Sequence, residues 1–407
     1  MLWIVFTYIA VYFGLFTALF FIFTFFENME NLRPQNATRF PFVSIIVPAF
    51  NEESTISGTL HSLLNLDYPK DKIEIIVVDD GSKDNTLNVA KKFEKKGVRV
   101  FTKENEGGKG YALNFGLEKA KGELVGCLDA DSFVVSDALN KMIGYFEDSE
   151  IAAVTPSIKV WKDNNFIQKI QKIEYMMGVF LRKSFSYLDS IHVTPGPFTI
   201  YRKSFFDKYG GYDAGNLTED IEVALRIQRH GFRIENSMDA NVYTVSPNNV
   251  KALQKQRNRW YIGFLGNVLN YKDLFGLKHG NLGMLILPSA FISVLMSIIL
   301  FVYAFGNLIV NSVKNILNLS SIGYDFVPLL NNSGFDAFYL NFNPLRILAI
   351  VSLFVGFSMV LISKKYSNEE GKVGLSYFLY LSVYWVFFAV WWIIAISLKV
   401  FKKRISW

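Results

Sequence analysis

Residues Leu2 to Phe26 carry no charged side chain. As a helix they would reach roughly 37 Å, enough to cross a hydrocarbon core of about 30 Å with some tilt. Met284 to Val310, Leu345 to Ser363 and Leu375 to Leu398 repeat the pattern near the other end. Such a chain must divide itself between two solvents. A cleaved signal peptide is the competing account of the first segment, but there is no basic start, the apolar stretch is too long, and no small-residue cleavage site precedes Glu27. The predicted layout is a transmembrane helix over 1–27, a folded α/β domain over 42–250, amphipathic interface helices over 251–280 and three transmembrane helices over 284–400. The 51% hydrophobic content, with 38 Phe, excludes an ordinary soluble protein.

Charge sets the orientation. Basic residues flanking the polar block favour a cytoplasmic block in the cell membrane, which puts the N-terminus outside and, with three helices after the block, the C-terminus outside too. One conflict remains. Lys364, Lys365 and Lys372 lie before the last apolar segment and Lys399, Lys402, Lys403 and Arg404 at its end. Both groups cannot be cytoplasmic if that segment spans; a re-entrant third or fourth segment would remove the conflict. The net charge of +6 clusters at membrane-flanking positions and around Lys251 to Arg259, where anionic lipid and a diphosphate are adequate partners and no nucleic acid is needed. A single cysteine, Cys127, rules out intramolecular disulfides and a Cys-rich zinc site. The histidines His61, His192, His230 and His279 have no ligand spacing. Asn318-Leu319-Ser320 and Asn331-Asn332-Ser333, in an outer loop predicted from Asn311 to Asn343, are formal glycosylation acceptors.

Between Phe42 and Lys278, strand-like and helix-like stretches alternate. Val43 to Val47, Ile73 to Val78, Val98 to Phe101 and Leu124 to Leu128 read as strands; Ser54 to Leu66, Thr86 to Lys95 and Gly110 to Ala120 read as helices, with Asp84 as a cap. This punctuation predicts a mostly parallel sheet covered by helices. Ligands collect beyond the carboxyl ends of such strands. Pro48 to Glu52, Asp79 to Ser82 and Asp129 to Asp131 all fall there. Lys251 to Tyr271 reads as an amphipathic surface helix, with Leu253, Trp260, Phe264, Leu265, Val268 and Leu269 set against Lys255, Arg257 and Asn267.

Asp129-x-Asp131 offers two hard oxygen ligands after an apolar strand, suited to Mg²⁺ or Mn²⁺ completed by substrate phosphates; alone, the triplet is equally a solvated turn. Of Asp79 and Asp80, one can serve the turn at Gly81 while the other accepts from a nucleobase N–H. Lys109 follows two glycines and precedes a helix, so it can pair with phosphate or sit in a flexible turn. Thr218-Glu219-Asp220 opens a helix predicted over Ile221 to His230; its acids suit a cap or a general base. Gln256 and Arg259 share a helical face with Trp260 nearby, fit for a diphosphate and a sugar or base, or for a membrane interface.

With these motifs in order, the chain resembles the membrane-bound inverting glycosyltransferases of family 2, with a Rossmann-like GT-A fold, and is most similar to the hyaluronan, chitin, cellulose and poly-N-acetylglucosamine synthase branch. The resemblance covers Val43 to Tyr271. It implies a nucleotide-sugar donor, UDP-linked in that branch, with Pro48, Asn51, Glu52 and Asp80 at the base, Lys109 at the diphosphate, Asp129 at the ribose or metal, and Asp131 as ligand to Mg²⁺ or Mn²⁺. It makes Asp220 the catalytic base and places Gln256, Arg259 and Trp260 over nucleotide and acceptor. Gly196, in a Pro195-to-Arg202 segment that is otherwise a simple turn, joins Glu219 and Trp260 at the acceptor. The expected product is a growing polysaccharide or oligosaccharide. The alternatives are a non-processive enzyme acting on a lipid or lipid-linked acceptor, and a membrane protein that binds a nucleotide-sugar without turnover.

Overall fold

A computed structural model describes residues 2–32, 37–321, 344–371 and 374–401. Lys372, the glycosylation triplet at Asn331 and the tail residues Lys402, Lys403 and Arg404 lie outside the described residues.

The chain opens with α1 (Leu2–Glu27) and then enters the domain through β1 (Val43–Ala49), α2 (Ile56–Leu64), β2 (Ile73–Asp79), α3 (Thr86–Lys91), β3 (Arg99–Thr102), α4 (Lys109–Lys119) and β4 (Leu124–Cys127). β1 to β4 are the four strands predicted, and all pair in parallel. Val43, Ile45, Val47, Val77 and Leu124 pack beneath α2, whereas Ile46, Ile76, Val78 and Val125 pack beneath α4. Two covered faces explain why these strands read as unbroken apolar runs. Helix ends fall short of expectation: the stretch to Lys95 ends at Lys91, followed by a 3₁₀ turn over Glu94–Lys96. Asp84 does hold that helix start, accepting from the Thr86 N–H at 3.0 Å.

The domain continues through β5 (Ser132–Val134), α5 (Asn140–Ile143), β6 (Ile151–Val160), α6 (Phe166–Ser186), β7 (Thr199–Arg202), α7 (Lys203–Tyr209), α8 (Glu219–Arg229) and β8 (Arg233–Thr244). The finished eight-stranded sheet runs β3-β2-β1-β4-β7-β6-β8-β5. β7 is antiparallel to both β4 and β6, and β5 is antiparallel to β8. The sheet is therefore mixed, its parallel half being the half that carries the acidic loops.

Helices α9 (Val250–Asn270), α10 (Leu287–Ser321), α11 (Pro344–Tyr366) and α12 (Leu375–Val400) follow. α1, α10, α11 and α12 are each long and apolar enough to cross a membrane. The loop predicted from Asn311 is corrected in part, because α10 continues to Ser321 and carries Asn318 on its helix. α1 and α11 meet the domain at one end each: Phe25 lies 4.9 Å from Phe180 and 5.0 Å from Tyr366 between ring centroids. At its other end α1 stacks Trp3 on Tyr303 of α10 at 4.2 Å.

The amphipathic reading of α9 fails in detail. Arg257 and Asn267, assigned to the wet face, are 0% and 1% exposed, whereas Leu269 is 62% exposed. The helix lies between the domain and the apolar helices, so its polar residues find buried partners rather than water. Arg257 pairs with Glu174 of α6. Asn267 donates to Thr218 Oγ1 at 3.0 Å and to the Thr218 carbonyl at 3.1 Å.

Candidate active site

The carboxyl ends of β1, β2 and β4 open into a cleft of about 370 Å³, within the range usual for small-ligand sites. Pro48 and Glu52 form one wall, Asp80 the back, Lys109 the α4 wall, Asp129 and Asp131 the floor, and Arg259 of α9 the far rim.

The β1 turn is built to hold shape. Asn51 adopts a left-handed φ of 56°, its N–H donates to Ser82 Oγ, and its Oδ1 accepts from the Lys83 N–H at 2.8 Å. Asn51 thus ties two loops together at the rim without lining the cleft. The paired aspartates divide between turn and cleft. Asp79 serves the turn, accepting from the Ser82 N–H at 3.3 Å, while Asp80 faces the cleft. Burial raises the pKa of Asp80, and Lys103, 3.1 Å away, pulls it back. Lys103 and Asn105, which lines the cleft, were missed in the sequence; the signal was their place at the end of β3, on the same rim.

Lys109 is the hinge between the two halves of the site. Its ammonium pairs with Asp129 and lies 3.5 Å from Glu219. Burial works against its charge, but the carboxylates outweigh it and hold the lysine protonated. A Cβ added at Gly196 would lie 2.8 Å from Lys109 Nζ and 3.2 Å from Asp129 Oδ2. Gly196 therefore approaches the ion pair closely, and a side chain there would make the Lys109 ammonium shift.

Asp220 lies in the first turn of α8, which begins at Glu219, two residues earlier than predicted. Its carbonyl accepts from Thr194 Oγ1 at 2.7 Å, and its Oδ1 accepts from the Ile221 N–H. Burial, then the neighbouring Glu219 charge, raises its carboxyl to about 7, with Lys109 and Arg259 opposing. Asp131 is raised as well, by burial and by the charges of Asp129 and Glu52. Gln256 and Trp260 lie on α9 outside the cleft lining, with the Arg257 guanidinium 4.2 Å over the Trp260 ring. Cys127 is buried in the core, and burial pushes its thiol up to about 12.

Among the described residues no cluster of three or more His, Cys, Asp or Glu could hold a metal alone. The site nevertheless suits a cation such as Mg²⁺ that takes one or two carboxylates and fills its shell with substrate phosphate. A positive ion would relieve the unfavourable negative charge on buried Asp131.

A GT-A-like mixed sheet, its acidic rim and its apolar helices define a membrane-embedded transferase that takes sugar from a nucleotide. Residues 44–210 match the model of glycosyl transferase family 2. A poly-beta-1,6-N-acetyl-D-glucosamine synthase of Staphylococcus epidermidis is 30% identical over 368 residues, 89% of this chain and 84% of that protein. The protein of that name in Staphylococcus aureus strain COL is 33% identical over 250 residues, 60% of each chain. The mannosyltransferase PcManGT of Pyrobaculum calidifontis, solved with GDP-Man and Mn²⁺, matches with a TM-score of 0.58 over 98% of this chain and 100% of that one, at 18% identity. The chain belongs to glycosyl transferase family 2. It is an integral membrane, inverting glycosyltransferase with a cytoplasmic catalytic domain, moving sugar from a nucleotide-sugar to a glycan acceptor.

Proposed function

We propose that this enzyme extends a polysaccharide with β-linked N-acetylhexosamine or hexose from a UDP-sugar, using Asp220 as the base. The observation that carries the assignment is Lys109, which bridges the nucleotide-side carboxylate Asp129 and the α8 carboxylate Glu219 next to Asp220. Donor diphosphate and acceptor hydroxyl are thereby held on either side of one ammonium.

Asp80 accepts from the base, Pro48 and Glu52 wall it, Asn51 fixes that wall, and Lys109 and Arg259 face the diphosphate. Glu219, Gly196 and Trp260 border the acceptor, and Gln256 orients the α9 segment. The acceptor oxygen attacks the anomeric carbon as its proton passes to the Asp220 carboxylate. The carbon–oxygen bond to the diphosphate breaks on the opposite side, and the nucleoside diphosphate leaves with the electron pair. One displacement inverts configuration. Asp131 and Asp129 would hold Mg²⁺ or Mn²⁺, which supplies charge neutralisation at the leaving group. Cationic side chains prearranged where charge develops act most strongly in a site partly closed to water.

The polymer reading is supported by the synthase relative that matches along 84% of its length. The test is nucleoside diphosphate release by the detergent-purified protein across UDP- and GDP-sugars with Mn²⁺ or Mg²⁺, with products sized. A ladder on a UDP-sugar supports the reading. A single transfer to an added lipid acceptor overturns it, and release unaffected by Asp220→Asn removes the role given to Asp220.

A further inference from the structure

We infer that the last apolar helix, α12, does not cross the membrane: it lies along the membrane face of the catalytic domain, within the cytoplasmic leaflet, and the C-terminus is cytoplasmic.

The three other long apolar helices touch the domain at one end and extend away from it. α12 stays beside it throughout. Its first turns pack Tyr377 with Ile173 and Met176 of α6. In the middle, Trp391 lies 5.7 Å from the Arg257 guanidinium. Further along, Trp392 stacks on Tyr261 at 4.5 Å with planes 7° apart, and it meets Phe264 edge-on at 6.1 Å. At the end, a Cβ on Gly266 would lie 3.2 Å from Lys399 Nζ. Contacts thus advance along α9 from Arg257 to Gly266 as they advance along α12.

α9 is itself fixed to the domain at both ends. Asn249 caps its start beside Asn248, whose carbonyl accepts from Asn165 at 2.7 Å, and Asn267 bonds Thr218. From Tyr377 to Lys399 a helix rises about 33 Å, a full hydrocarbon core. Were α12 to cross, Lys399 would stand on the far side from Tyr377; both instead lie against the domain. The loop before α12 is bound there too, with Glu369 3.3 Å from Lys159 and 3.4 Å from Lys172.

This placement satisfies the charge rule that a crossing breaks. Lys364 and Lys365 before α12, and Lys399 at its end, come to one side. As a helix it satisfies its own backbone in lipid, and its outward residues Phe378, Trp385 and Phe387 remain exposed to the acyl region. The aromatic stack and the buried Arg257 hold it to α9.

Cys127 is buried and is the only cysteine, so single added cysteines report on side. Glu370→Cys, Ser333→Cys and Ser406→Cys are expressed in bacterial inner membrane and treated with an impermeant maleimide, each first checked for retained nucleoside diphosphate release. In intact cells Ser406→Cys is expected to match Glu370→Cys, both labelled only after the membrane is opened, while Ser333→Cys labels at once. Labelling of Ser406→Cys in intact cells, with Glu370→Cys protected, overturns the proposal. A C-terminal fusion checks it independently: a fluorescent protein that matures only in the cytoplasm should glow, and activity of a phosphatase that folds only outside refutes it. In purified protein, a short bis-maleimide should join Gly266→Cys to Lys399→Cys; a failure to join two labelled cysteines counts against the placement.

Discussion

Replacing Asp220 by Asn should remove activity and stabilise the protein at the same time. The Asp220 carboxyl is half-buried and raised from 3.8 to about 7 by burial and by Glu219. At about 1.4 kcal/mol per pH unit, ionising it in the fold costs on the order of 4 kcal/mol. The sign follows from proton linkage: the folded state holds this proton more tightly than the unfolded chain, so stability falls as pH rises from about 4 to about 7 and the full cost is present above that. Asparagine keeps the acceptor for the Ile221 N–H and carries no charge. In detergent, the melting temperature of Asp220→Asn should therefore exceed that of the parent at pH 8, with the gap narrowing as pH falls and closing only near pH 4. In the parent, kcat/KM should fall about tenfold per unit below pH 7 as the base is protonated. A variant less stable at pH 8, or a flat profile between pH 5.5 and 8, would refute the assignment of a half-buried, raised carboxylate as the base.

Asp80→Ala should raise the donor KM about 10- to 100-fold with kcat little changed, as loss of a ground-state hydrogen bond does; competition by free nucleoside diphosphate measures it. Gly196→Ala should lower kcat severalfold, up to about tenfold, because the Lys109 ammonium 2.8 Å from the new Cβ ends a flexible side chain and shifts by less than the ~1 Å that carries a 100-fold penalty; initial rates at saturating donor test this. Asp131→Asn should raise the Mn²⁺ concentration for half-maximal rate about tenfold or more, and chelation of the parent should stop turnover until metal is restored.

What the sequence made legible was local. Four apolar runs ending in Pro48, Asp79, Thr102 and Asp129 announce parallel strands and the rim where their acids gather, because a strand covered on both faces must be apolar throughout. The second half of the sheet was hidden for the same reason. β6 is buried at all ten positions, so it has no alternation to betray its partners, and nothing local indicates that it pairs in parallel with β8 on one side and antiparallel with β7 on the other. Arg257 and Asn267 were misread because periodicity reports polarity, and a polar residue facing a buried partner looks like one facing water. Lys103 was overlooked because it is one of many lysines; only the pairing of β3 with β2 carries it to Asp80.

The position of Asp220, the base proposed above, is set from the membrane side. Asp220 stands two residues beyond Thr218, and Thr218 is held by α9. A Cβ on Gly263 would lie 2.2 Å from Thr218 Oγ1, so the Thr218 side chain packs directly on the α9 backbone. Asn267 then donates to the same hydroxyl and carbonyl. The same α9 brings Arg259 to the cleft and carries Arg257 between Trp260 and Trp391. A shift of α9 against the apolar helices would move the α8 start and Arg259 together. The membrane thus does more than tether the domain: Thr218, which opens α8, and Arg259 at the cleft both depend on a helix whose other face is packed against α12.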